Sequence, residues 1–333
     1  MTDANLVLSL DAFTAARNSE KALFTAGPAS LLTENLSGLC PCFGRGDPLY
    51  DALEQRVMGR LSSLTGHSKI ARLQGSASLA LEIATLNFLA GKVLIVSSGY
   101  YSDRLHSLVN TAKSSTGHIR EVQSASWTDL ENVSGQFDWI VACYTETSRG
   151  IRVPIHELRR LANKVGARLM VDATASIGLE DQHDLADVLA YSSCKGLFGL
   201  TGAAFLAFSG EPENEVASLY LCIQTHLEKR VTGPYHAIAS LDRVLENHAH
   251  FRESVVINKA RFLRQMRGQL TQPEKFQPLL CTHVDAVLRS AAATAVTYSP
   301  RGNLSGSVVC HLGEAHLGAL AEGKILELLD WEL

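Results

Sequence analysis

Two residues of this 333-residue chain stand where an amine nucleophile and a fixed carboxylate would be useful. Asp172 closes the apolar run Leu169-Met170-Val171. Lys195 follows the stretch Val188 to Ser192, inside Tyr191-Ser192-Ser193-Cys194-Lys195-Gly196. A lysine just past a buried strand can be desolvated in a pocket, which frees an amine for Schiff-base chemistry. A carboxylate on a nearby strand end can keep a pyridine-type nitrogen protonated and so create an electron sink. A third feature, Gly75-Ser76-Ala77-Ser78, joins a short apolar run to a helical pattern. Backbone N–H groups and two hydroxyls at such a junction can cradle a phosphate. Each feature also has a plainer reading: a surface lysine, a helix-capping aspartate, an ordinary serine cap. Taken singly, none of them decides the matter.

The elements that must position these residues alternate along the chain. Asp47 and Pro48 open a helical pattern carrying Leu49, Leu53, Val57, Leu61 and Leu64. Ile70 to Leu73 reads as a strand, and Leu79 to Leu89 as the helix after the serine turn. Val93–Val96, Ile119–Val122, Trp139–Cys143, Leu169–Asp172, Val188–Ser192 and Ala203–Phe208 read as further strands. Helices are expected between them, from about Leu105 and over Ile155–Val165. That alternation predicts an α/β fold with a mostly parallel central sheet and helices on both faces. Ligands in such sheets bind beyond the carboxyl ends of the strands, where the three features lie. After His236 come helices over Ala237–Asn247 and Ser254–Leu270, then weaker strand signals near Ala286, Ala295 and Val308. A last helix is expected over Leu317–Leu329. The expected division is an N-terminal arm (1–22), a large domain (23–235) and a small C-terminal α/β domain (236–333).

Composition narrows the function classes. Apolar residues make up 46% and charged residues 19%, enough for a full core. Thirty basic against 34 acidic residues leave a net charge of −4 with no basic stripe, which argues against nucleic acid. Seven scattered cysteines in a chain of this size read as reduced thiols of a cytoplasmic protein. Cys40 and Cys42 lack the spacing and second pair of a zinc site, so no metal is expected. The N-terminus lacks the basic segment of a signal peptide, and no apolar run reaches the roughly 20 residues of a membrane span.

Together the motifs resemble, in order and context, the class V aminotransferases. These are fold type I pyridoxal phosphate enzymes, and the likeness is greatest to their 2-aminoethylphosphonate–pyruvate branch. It runs from Leu23-Phe24-Thr25-Ala26-Gly27-Pro28 to Leu312-Gly313-Glu314. It passes through Leu73 to Ser78, Val93 to Arg104, Glu146-Thr147-Ser148-Arg149-Gly150, Val171-Asp172-Ala173, Ser192 to Gly196, and Thr232-Gly233-Pro234-Tyr235-His236. By this resemblance Lys195 holds the cofactor covalently and shuttles the substrate proton, while Asp172 pairs with the pyridinium nitrogen. Tyr101 stacks on the ring and Thr147 hydrogen-bonds the phenolic oxygen. Ser76, Ala77 and Ser78 hold the phosphate, with Thr232 reaching it from a partner subunit. That last role implies a homodimer with shared active sites. Gly27 falls where the family's backbone lines the substrate pocket.

One departure bears on the substrate. The family carries an arginine for the substrate's acid group at a position that matches Val308, and valine cannot grip an anion. Arg149 and Arg301 are the candidate replacements, Arg149 preferred, with Arg45 a weaker third. The expected activity is transfer of an amino group between a small amine or amino acid and a keto acid. An aminophosphonate such as 2-aminoethylphosphonate is the candidate donor. The competing enzyme reading is another pyridoxal phosphate reaction on the same scaffold: a lyase, a decarboxylase or a carbon–carbon bond-forming enzyme. A non-enzymatic binding subunit is the third reading, and retention of Lys195, Asp172 and the serine turn counts against it.

Overall fold

A computed structural model describes residues 9–27, 31–39, 46–313, 327 and 329–332. Its centre is a seven-stranded sheet of β1 (Lys69–Gln74), β2 (Gly91–Ser97), β3 (Ile119–Ser126), β4 (Trp139–Cys143), β5 (Arg168–Asp172), β6 (Val188–Ser192) and β7 (Ala203–Phe208). Their spatial order is β1-β7-β6-β5-β4-β2-β3. All neighbours run parallel except β7, which lies antiparallel between β1 and β6. The predicted strands are therefore present, and the reversed strand is what periodicity does not reveal.

The sheet is covered on both faces by α1 (Pro48–Thr65), α2 (Ala77–Phe88), α3 (Tyr100–Thr116), α4 (Ile155–Val165) and α5 (Tyr235–Glu246). Side chains of β4 alternate between them. Ile140 and Ala142 join a core with Val57 and Leu61 of α1, Leu158 and Leu161 of α4, and Ile238 of α5. Trp139 and Val141 join the opposite core with Ala80 and Ala84 of α2 and Leu105 and Val109 of α3. This two-residue period puts every residue of β4 out of water. Each fully buried leucine, isoleucine or valine contributes roughly 1.5–3 kcal/mol of transfer free energy. A sheet buried on both faces gives rigid strand ends.

Local chemistry sets the helix ends. The Asp47 carboxylate accepts the Leu49 N–H at 3.0 Å, Pro48 opens α1, and Gly66 ends it in the left-handed conformation. Helix α3 begins at Tyr100, a turn earlier than expected, because a residue distant in sequence caps it. Glu146 accepts hydrogen bonds from the N–H groups of Tyr101, at 3.0 Å, and Ser102, at 3.2 Å.

The C-terminal part is built from α6 (His248–Gln265) and short strand pairs. This helix starts and stops about five residues before the expected span. Cys281–Val284 pairs antiparallel with Ser307–Cys310, and Val287–Ser290 with Leu329–Glu332. Ala22–Phe24 pairs in parallel with Ala295–Thr297, so the start of the expected large domain is stitched to the C-terminal part. The helix expected over Leu317–Leu329 lies largely outside the described residues, and Leu329 itself is in a strand. Cys40, Cys42, Arg45, Pro28 and Glu314 also lie outside them. No described helix is long and apolar enough to cross a membrane.

Candidate active site

The carboxyl ends of β1, β2, β4, β5 and β6 converge on one cavity of about 190 Å³. Its lining includes Ser76, Ala77, Ser78, Tyr101, Thr147, Asp172 and Lys195, seven residues singled out from sequence, and Arg301. In-register pairing of Cys143 with Asp172, and of Asp172 with Ala190, fixes these ends relative to one another. Two larger clefts, of about 800 and 630 Å³, lie elsewhere. They share Arg152 and Asp181 and contain neither Lys195 nor Asp172, so their size gives them no comparable chemistry.

Asp172 is 2% exposed. Its Oδ1 accepts hydrogen bonds from the Thr174 N–H, at 3.0 Å, and from the Thr174 hydroxyl. Its Oδ2 accepts from Arg104 Nη2 at 3.4 Å. Lys195 is half-buried in the loop after β6, its Nζ 5.8 Å from the centroid of the Tyr101 ring. That loop holds its shape through the Ser193 hydroxyl, which donates to the Ala203 carbonyl at 3.1 Å, and through Phe198 N–H donating to the Lys195 carbonyl at 2.8 Å.

The serine turn enters α2. Ser76 occupies the N-cap position, yet its side chain makes no capping hydrogen bond. Its hydroxyl and the first helical N–H groups thus face the cavity end of a helix, a setting that favours an anion. Across the cavity, Tyr101 is set by Glu146. That carboxylate also accepts from Ser148, and burial raises its pKa against the pull of these hydrogen bonds. A Cβ at Gly99 would come within 2.9 Å of the Glu146 side chain, so glycine is needed for this close approach. Thr147 is 1% exposed in the turn between Thr145–Glu146 and Ile151–Arg152. From the C-terminal part the Tyr298 hydroxyl comes in beside Tyr101 and Thr147, and burial, followed by Tyr101, raises its pKa. Burial, with Asp172 second, pushes the Cys143 thiol well above its usual range, so it lines the wall as an inert neutral group.

Other candidates fall elsewhere. Arg149 is exposed and does not line the cavity: its N–H closes a turn onto the Glu146 carbonyl at 3.2 Å, which turns Thr147 inward and Arg149 outward. Gly27, at φ 104°, follows Ala22–Phe24 and is not in the lining. Thr232 is exposed on this subunit and does not line its own cavity. Val308 is 2% exposed in an apolar cluster with Ala26, Ala175, Phe198 and Leu280. Arg301 does reach the cavity, donating from Nη1 to the Tyr100 hydroxyl at 3.3 Å. Sequence reasoning gave no role to Arg104, Thr174 or Tyr298. Arg104 had a local signal, a lone cation one turn after Tyr101 at a strand–helix junction, whereas Tyr298 had none.

The donors present suit an aromatic phosphate-bearing ligand with an aldehyde. Besides the free Ser76 cap, Arg104 Nε is buried with no acceptor, which is costly unless a ligand supplies one.

Comparisons with known proteins agree in kind. No protein-family model matches the chain. A Pseudomonas fluorescens 2-aminoethylphosphonate–pyruvate transaminase is 27% identical over 256 residues, covering 69% of each chain. A Pseudomonas aeruginosa protein of the same name is 29% identical over 251 residues, covering 68% of this chain and 67% of its own. Among solved structures, an alanine–glyoxylate aminotransferase from Nostoc superposes with TM-score 0.72 at 20% identity, over 92% of this chain and 95% of its own. A phosphoserine aminotransferase from Cytophaga hutchinsonii gives 0.75 at 14% identity, over 93% and 98%.

Proposed function

We propose that this chain, which has the fold of the fold type I pyridoxal phosphate aminotransferases and is a homologue of 2-aminoethylphosphonate–pyruvate transaminases, is itself a pyridoxal phosphate-dependent aminotransferase. Its substrates in this reading are a small amino compound and a keto acid, with 2-aminoethylphosphonate or a related aminophosphonate the leading donor and pyruvate the leading acceptor. The observation that carries the reading is the meeting of Lys195, Asp172 and the serine turn in one cavity.

Bound through its aldehyde to Lys195, pyridoxal phosphate would supply an electron sink for the substrate carbon. The chain's own residues do the rest. Asp172, held by Thr174, keeps a proton on the ring nitrogen. The Ser76 hydroxyl, the Ala77 and Ser78 N–H groups and the Ser78 hydroxyl take the phosphate, with Thr232 of the partner subunit closing over it. Tyr101 packs on the ring and excludes water from that side. Thr147 holds the phenolic oxygen. The Lys195 amine, besides holding the cofactor's aldehyde, would serve as the base that takes and returns the proton on the substrate carbon.

Arg301 is the better supported anchor for the substrate's acid group, since it shares the cavity with Lys195 whereas Arg149 is directed away. This reading makes the protein a cytoplasmic homodimer, and equilibrium sedimentation tests the dimer.

A second reading remains on the same scaffold: a lyase, a decarboxylase or a carbon–carbon bond-forming enzyme. The apolar burial of Val308 favours it, because a transaminase must hold two acid substrates in turn. The deciding experiment adds candidate amines, 2-aminoethylphosphonate included, to the cofactor-loaded protein without a keto acid. Conversion of the cofactor to its pyridoxamine form supports transfer. Release of ammonia or carbon dioxide with the aldehyde form retained overturns it in favour of the second reading.

A further inference from the structure

Arg104 lies at the start of the second turn of α3, three residues after Tyr101, and its guanidinium meets three separate parts of the cavity wall. Nη1 donates to the Ser78 hydroxyl at 3.2 Å, and Nη2 donates to Asp172 Oδ2 at 3.4 Å. The guanidinium carbon lies 5.0 Å from the centroid of the Tyr101 ring. These are the residues assigned above to the phosphate, the ring nitrogen and the ring face. A guanidinium is rigid and planar with donors on a fixed fork, so it can fix two acceptors at a set separation where an ammonium cannot.

Asp172 needs such a partner. Thr174 takes its Oδ1 twice, which leaves Oδ2 to Arg104, the one ion-pair partner of Asp172 among the described residues. A carboxylate 2% exposed with one oxygen unrestrained would be free to turn and would lack a counter-charge. At the other end, the Ser78 hydroxyl can rotate toward several acceptors. Donation from Nη1 fixes its oxygen as an acceptor and directs its own proton elsewhere, toward an anion at the head of α2. The buried, unpartnered Nε is a third donor on the same plate.

We propose that Arg104 is a positioning residue that ties the ring-nitrogen carboxylate Asp172 to the phosphate-turn serine Ser78, so that both ends of the cofactor meet one rigid frame. This rests on the reading of the cavity as a pyridoxal phosphate site. The frame is set before the ligand arrives, which lowers the ordering cost of binding.

The experiment measures equilibrium binding of pyridoxal phosphate and of pyridoxal to the full-length protein, with the induced circular dichroism of the bound cofactor as the report on its orientation. Arg104→Gln should weaken pyridoxal phosphate by roughly 10- to 100-fold, the range for losing hydrogen bonds to charged groups. It should weaken pyridoxal as well, since the Asp172 arm does not need the phosphate, and it should reduce the induced signal. Arg104→Lys, which keeps the charge without the fork, should recover part of both. In a double-mutant cycle Ser78→Ala should cost at least about threefold less in the Arg104→Gln background than in the wild type. Unchanged pyridoxal affinity in Arg104→Gln would reduce Arg104 to a phosphate contact and overturn the tie. An additive cycle, or an undisturbed signal, would equally overturn it and leave a residue that only packs. Wild-type protein that takes up no cofactor is a different result, because it removes the proposed function and not this inference alone.

Discussion

The two walls of the cavity are built on different principles. The wall from the central sheet carries Lys195, Asp172 and the serine turn on strand ends locked in register within a sheet buried on both sides. The wall from the C-terminal part presents Arg301, with Tyr298 packed behind it against Tyr101 and Thr147, on a connection between two short strands, Ala295–Thr297 and Ser307–Cys310. The first wall gathers the residues singled out from the sequence, while in the C-terminal part the buried Val308 stands where the resemblance leads one to expect an arginine. A rigid sheet edge leaves a cofactor-holding residue nowhere else to sit, so its type is constrained. A loop can offer an anion contact from several positions, so that contact can migrate while the chemistry at the sheet stays put.

The strongest way to break the comparison is at the first wall. Lys195→Ala should lower kcat by roughly 10⁴-fold or more, as loss of a covalent nucleophile with its proton shuttle implies. Borohydride should then fix no cofactor on the chain; turnover near the wild-type level would show that the sheet wall is not the reactive one. Asp172→Asn keeps the shape and removes the charge, and about a 10²- to 10⁴-fold loss in kcat is expected. Cofactor binding should weaken with it, which a fluorescence titration measures. The second wall should respond through KM instead. Arg301→Ala should raise KM for the acid substrate by roughly 10- to 100-fold with kcat little changed, as expected for loss of a charge-assisted contact. Arg149→Ala should leave KM within about twofold, because that side chain is exposed outside the cavity. The reverse pattern would move the anion site from the C-terminal part to the turn after Glu146.

The same contrast explains what was legible in the sequence. Strands such as Trp139–Cys143 announce themselves because both faces are buried and every residue is apolar. Their order then delivers Asp172 and Lys195 to the same edge. The reversal of β7 leaves no trace in its composition, since Ala203–Phe208 is buried throughout whichever way it runs. The start of α3 is not legible locally because Tyr100-Tyr101-Ser102-Asp103 carries no apolar period, and Glu146 supplies the cap from 45 residues away in sequence. Pairing of Ala22–Phe24 with Ala295–Thr297 is likewise non-local, and no pattern within either segment predicts it. In the sequence Arg149 is the preferred anchor because it sits inside a segment that the resemblance assigns to the cofactor. The turn geometry that directs it outward appears only once Glu146 is committed to capping α3.

A smaller effect tests how firmly the first wall is braced from beneath. His183 lies in the loop that descends from Asp172, 2% exposed, with Nε2 3.0 Å from the Ser176 hydroxyl. Burial, followed by the nearby His67, lowers its pKa from 6.5 to about 4. The folded state therefore holds this imidazole neutral over a range where the unfolded chain binds a proton. Its contribution to stability is fully present above pH 6.5 and is lost progressively as pH falls from there toward 4. Denaturant titrations at pH 7.5 and 5.5 should differ by about 1 kcal/mol from this group. That difference should vanish in His183→Gln, which cannot titrate. Because Ser176 hydrogen-bonds back to Ala173, protonation of His183 pulls at the segment that carries Thr174 and so at the carboxylate it holds. Cofactor affinity in the wild type should then weaken at pH 5.5 more than in the variant. Equal weakening in both would show that the Asp172 end of the wall is held by the sheet alone and does not depend on the loop below it.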